Sequence, residues 1–220
     1  MKTKLFLLIM ALMPLSILAQ KTTISVNIPT ATIKINGRVA GTGIVNKIKI
    51  PKGDCVTVEV ENDAYIPQKF DLCNQPLMPK IENTTYVELE ADPSYDASTA
   101  SNYANNDIVL NPKAGTVKDN WIAIVRMVVS HFDALEVNDN EVNYLRTSWV
   151  VDNFESFTIR TRLVVRLTNE NPQQFSFKII SERAVGQQSV RADELYRPWD
   201  RILKRYNSFI DEIQSRVSRM

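Results

Sequence analysis

The sequence predicts an α+β fold: a small all-β N-terminal domain, then an antiparallel sheet covered by a long C-terminal helix. Three observations predict it. Residues 22–90 alternate apolar and polar side chains and show no helical period. Residues 142–179 read as strands again. Trp199, Ile202, Leu203, Tyr206, Ile210, Ile213 and Val217 then recur every three or four positions, the pattern of an amphipathic helix of about five turns. The divisions that follow are 1–19 for a signal peptide, 20–90 for the β domain, 91–118 for a linker or ordered surface loop, and 119–220 for the α+β domain.

The chain opens with Lys2 and Lys4, an apolar run from Leu5 to Leu12, the breakers Pro14 and Ser16, and Ala19 before Gln20. That is the layout of a cleavable secretory signal. The run is shorter than the roughly 20 residues of a spanning helix, so no membrane span is expected after its removal. Export implies an oxidising compartment, the periplasm or the outer-membrane surface. Basic and acidic residues nearly balance, 26 against 25, a distribution that argues against a nucleic-acid partner.

In the β domain, Thr23 to Ile28, Ala31 to Ile35 and Val56 to Val60 are strands, separated by turns at Asn36-Gly37, Gly41-Thr42-Gly43, Pro51-Lys52-Gly53 and Asn62-Asp63. With a hairpin turn centred near Ala64, Cys55 and Cys73 are equidistant from it and face each other within disulfide reach. Such a bond stabilises by about 3 kcal/mol in the chain-entropy description. The segment resembles a PEGA domain over residues 28–72: Ala31-Thr32-Ile33-Lys34-Ile35-Asn36-Gly37, Gly41 and Gly43, Ile50-Pro51-Lys52-Gly53, Val56 to Val60, and Ala64-Tyr65. Of the namesake tetrapeptide Pro51 and Gly53 stand, while Lys52 and Asp54 differ. The resemblance implies an interaction module without catalytic residues.

Beyond the polar stretch Ala91 to Asn102, Asp119 or Asn120 is placed to cap a helix running through Trp121, Ile124, Val125, Val128 and Phe132. Val142 to Val151 reads as one strand. Phe157 to Thr168 is the next, with Ile159, Thr161, Leu163, Val165 and Leu167 on one face. The turn Asn169 to Pro172 leads to a returning strand at Phe175, Phe177 and Ile179. The order resembles the helix-grip domain of BamC-like outer-membrane assembly lipoproteins: Trp121, Leu145-Arg146-Thr147-Ser148-Trp149, Arg160-Thr161-Arg162, Trp199 and Ile213 carry the likeness. The lipid-bearing cysteine of those proteins is missing, so the likeness concerns architecture alone.

No catalytic set, cofactor site or metal site is expected. His131 is the sole histidine and ends an apolar helix. The glycines are not followed by the Gly-Lys-Ser/Thr of a phosphate loop. Asp133, Glu136, Asp139 and Glu141 are acidic but lack the EF-hand spacing. Arg160, Arg162 and Arg166 lie on the strand face opposite Leu163 and form either a candidate interaction face for acidic groups of a partner, a lipid head group or a glycan phosphate, or a solvated face paired with Glu155, Glu182 or other acids of the chain. Trp149, Phe175, Phe177, Trp199 and Tyr206 are the candidate lining of a groove between sheet and C-terminal helix. Two functions follow: a non-enzymatic envelope adaptor acting on other envelope proteins, or a binder of a lipid, glycan or other amphiphile in that groove.

Overall fold

The computed structural model describes residues 19–219, so the expected signal peptide lies, apart from Ala19, outside the described residues. The described residues form two compact units, divided between Ala91 and Asp92.

The first unit holds seven strands: β1 (Gln20–Val26), β2 (Thr32–Ile35), β3 (Arg38–Thr42), β4 (Ile44–Ile50), β5 (Cys55–Glu61), β6 (Gln68–Cys73) and β7 (Thr84–Val87). They form one sheet in the order β4-β1-β7 and another in the order β3-β2-β5-β6. Alternation decides the inner faces: Ile24 and Val26, Ile33, Ile48 and Ile50, and Val56, Val58 and Val60 are buried, their neighbours less so. Asn36 and Gly37 both take positive φ, the requirement of the tight turn joining β2 to β3. Gly43 has φ +63°, and a Cβ there would stand 2.5 Å from the Pro29 carbonyl oxygen, so no other residue fits. β5 and β6 pair antiparallel with Cys55 opposite Cys73, and the two sulfurs are bonded.

The second unit comprises α1 (Pro93–Asp96), β8 (Ser98–Ala100), β9 (Ile108–Leu110), α2 (Val117–His131), β10 (Leu135–Asp139), β11 (Tyr144–Thr147), β12 (Val150–Asn153), β13 (Phe157–Glu170), β14 (Gln173–Val185), β15 (Arg197–Pro198), β16 (Arg201–Leu203) and α3 (Asn207–Val217). The main sheet runs β10-β11-β13-β14-β15, with β12 also on β13 and β9 also on β14. Leu163, Val165, Phe175, Phe177 and Ile179 are fully buried on its inner face and share one core with Trp121, Ile124 and Val128 of α2 and Phe209, Ile210 and Ile213 of α3.

The α+β expectation with a long C-terminal helix over a helix-grip sheet is corrected here. Among the described residues strand outweighs helix, the helices are short, and there are four sheets. The C-terminal helix begins at Asn207, not near Trp199. Residues 201–203 instead pair with Ser98–Ala100, and Lys204–Tyr206 form a single 3₁₀ turn. Tertiary contacts override the helical spacing: the Trp199 N–H donates to the Ser181 carbonyl at 2.9 Å, and the Arg201 guanidinium donates to Ser98 Oγ at 2.7 Å and to the Tyr95 and Ser98 carbonyls.

The partner of that strand is the stretch read as a linker. Asp92 holds its start, with Oδ1 accepting from the Ser94 N–H and Oγ and Oδ2 lying 2.9 Å from Arg183 Nη2, an ion pair not aligned as a hydrogen bond. α2 begins earlier than Asp119, because Thr116 is the cap: its hydroxyl accepts from the Asp119 N–H and donates to the Asp119 carboxylate. The expected single strand Val142 to Val151 is interrupted at Ser148-Trp149.

Candidate functional site

That interruption builds the site. Arg146 faces Val164 and Val150 faces Thr161, so one extra residue sits on the β11–β12 side of the ladder. Such a bulge re-aims side chains. The Leu163 N–H, deprived of a carbonyl, donates to the buried Thr147 hydroxyl at 2.9 Å. Trp149 turns onto the outer sheet face, where alternation along β13 has placed Arg160 and Arg162. The guanidinium carbons of Arg160 and Arg162 stand 4.3 and 4.0 Å from the Trp149 ring centroid, and Arg160 is also 3.9 Å from that of Tyr196. The four side chains form a continuous stack, in which desolvated cation–π contacts contribute about 2 kcal/mol apiece.

The two arginines differ in what neutralises them. Arg160 Nε and Nη2 reach Glu182 Oε2 at 2.7 and 2.6 Å, across the ladder on β14. Its Nη1 donates to the Val190 carbonyl and to Asp193 Oδ1, both at 2.6 Å. These come from the segment between β14 and β15, which folds over the guanidinium. Arg162 has one distant carboxylate, Glu136 at 3.7 Å, which Arg146 approaches more closely at 3.1 Å. The Arg162 Nε is buried and unpartnered. Burial holds this guanidinium below its usual pKa, and the charge of Arg146 adds to the effect. Burial likewise raises the Tyr196 phenol. Beside the stack opens a concavity of about 430 Å³ lined by Glu136, Ser148, Trp149, Val190, Arg191 and Asp193.

The three expected face arginines are therefore split. Arg160 is buried, against the expectation of a solvated residue, because the 186–196 segment closes over it. Arg162 is half-buried, and Arg166 alone is open, 3.4 Å from Asp107. Asp107 also accepts from Ser176 and pairs with Lys178. Burial works to raise its pKa, but these partners outweigh it and the net direction is down.

The expected groove is filled. Phe175 and Phe177 are fully buried core, Trp199 and Tyr206 are buried, and Phe132 stacks on Tyr206 at 5.3 Å. Trp149 belongs to the outer face instead. His131 joins α2 to α3 through Glu212 at 2.9 Å, a contact that lowers the Glu212 pKa. The neighbouring Ser130 hydroxyl donates back to the Met127 carbonyl, and among the described residues it makes no hydrogen bond to His131. The acidic cluster disperses: Glu136 faces Arg146, Asp139 accepts from the Glu141 and Val142 N–H groups, and Asn140 accepts from the Trp121 indole. No group of three metal-ligating side chains converges among the described residues, and no helix there is long and apolar enough to cross a membrane.

Sequence reading missed Tyr196 and Asp193. Both lie in a segment without periodicity, and their sole signal is an aromatic and an acid downstream of a basic strand. No protein family and no curated protein matches the chain.

Proposed function

We propose that this chain is an exported, non-enzymatic adaptor of the cell envelope that acts through protein–protein contacts made by the outer face of its second unit. One observation carries the reading: the stack of Tyr196, Arg160, Trp149 and Arg162, held rigid and opening on a concavity. Trp149 and Arg191 line that concavity, and Trp and Arg are enriched among interface hot spots. The acids in reach, Glu136, Glu182 and Asp193, sit against guanidiniums, an arrangement suited to holding charges in place. The Cys55–Cys73 bond supports export, since such bonds persist in oxidising compartments. The first unit's β arrangement, with glycine turns at Gly37, Gly43 and Gly53, supports a PEGA-like interaction module.

Cross-linking pull-down from native envelopes tests this. The wild-type chain is expected to retain a partner saturably, and Arg146→Glu, which reverses charge beside Glu136, to lose it. Equal recovery with both chains would break the reading.

A further inference from the structure

The geometry points to a carboxylate-binding subsite beside Trp149 that Asp193 fills from within, and that an acidic segment of a partner protein takes over by displacing it. The step rests on the binding role proposed above for the same face and names the chemistry that is bound.

The internal contact itself shows what the subsite accepts. Arg160 Nη1 holds a carboxylate oxygen of Asp193 at 2.6 Å, yet the two ends of this pair differ sharply: the arginine side chain is 4% exposed and the aspartate 80%. An aspartate so exposed leaves by turning its own side chain, with no backbone movement. The 186–196 segment is held independently, through Val190 O on Arg160, Thr158 Oγ1 accepting from the Gln188 N–H, and Arg197 on the Glu194 carbonyl. Arg160 keeps Glu182 when Asp193 leaves, so its charge stays paired while Nη1 is offered to a new oxygen.

The surroundings favour an incoming acid. With Asp193 turned away, Glu136 stays on Arg146 and Glu182 on Arg160, and Arg162 is left with Glu136 at 3.7 Å. Arg191 lines the concavity and pairs with no carboxylate among the described residues. The unpartnered Arg162 Nε leaves that guanidinium under-neutralised. A partner's acidic side chain beside Trp149 would add the missing negative charge where wild-type Asp193 supplies it only to Arg160.

The test uses the full chain and a tetraglutamate peptide, followed by the Trp149 indole N–H resonance at constant ionic strength. Asp193→Asn replaces the internal carboxylate by a neutral amide that holds Arg160 less strongly, and should bind the peptide roughly tenfold more tightly than wild type, the scale of one hydrogen bond to a charged group. Glu194→Gln removes the same charge one residue away without touching Arg160 and should leave affinity unchanged. Equal tightening by both variants, or no saturable shift in Asp193→Asn, overturns the proposal. Saturation by inorganic phosphate but not by the peptide overturns it too, since the ligand would then be a free anion. Either failure, with Arg146→Glu still losing the envelope partner, would sink this subsite and leave the adaptor role standing.

Discussion

Ile24, Ile33, Ile50, Val56, Val58, Val60 and Leu89 make the interior of the first unit aliphatic, and Thr22 is the buried polar side chain it encloses. The second unit is built instead around Trp121, Phe132, Phe175, Phe177, Phe209 and Tyr206, and it takes in Asp92, Asn120, Thr147, Arg160 and Ser181 as well. The difference follows from size. A small sandwich of short side chains removes little apolar surface from water, and a covalent link between β5 and β6 supplements it. A larger aromatic interior stabilises enough to tolerate buried charge, provided each charge finds partners. Arg160 does, threefold; Arg162 has only a distant Glu136 and the Trp149 ring, and it is Trp149 that lines the concavity.

The contrast can be broken experimentally. The largest effect should come from Phe177→Ala, which empties a fully buried position between β14 and α3. A loss of about 4 kcal/mol is expected, read as faster amide exchange along β13 and β14 with β5 unaffected. Reducing the Cys55–Cys73 bond should cost about 3 kcal/mol and show the opposite pattern, fast exchange in β5 and β6 with β13 protected. Exchange rising everywhere in either experiment would mean the two units unfold together.

The smallest effect concerns pH. The folded Asp107 titrates below an ordinary carboxylate, so its contribution is complete above the unfolded pKa near 4 and is lost as pH falls through the lower folded value. Acid titration of wild type should therefore show a larger loss of stability below about pH 4 than Asp107→Asn does, the remainder coming from other carboxylates held low, such as Glu212. Parallel curves would remove Asp107 from the account.

What was legible in the sequence is what local chemistry decides. The hairpin about Ala64 needs a turn and two alternating strands, all within a short span, and the cysteine pairing follows from it. The β13–β14 hairpin is similar: Leu163 and Phe177 announce their face by alternation. Residues 199–206 failed for the opposite reason. Their spacing suits a helix, but it equally serves a strand and a turn that lay Ile202, Leu203 and Tyr206 on the core. The choice is made by Ser98–Ala100, a polar segment about a hundred positions away.

The site divides the same way. Alternation put Arg160 and Arg162 on the outer face, whereas burial of Arg160 depends on Val190 and Asp193, which arrive through a segment with no pattern of its own. Trp149 sits on that face, and not in an interior groove, because of the extra residue between β11 and β12, which the sequence pattern does not announce.

That broken strand has a further consequence. Remove one residue between Thr147 and Val150 and the two short strands would fuse, every carbonyl finding its mate, so the sheet itself would be more regular than the natural one. The indole, however, would swing to the far side and leave two cations with no wedge between them. The irregularity thus works as a counting error kept on purpose, and single-residue deletions there should separate how well the chain folds from whether it recognises anything.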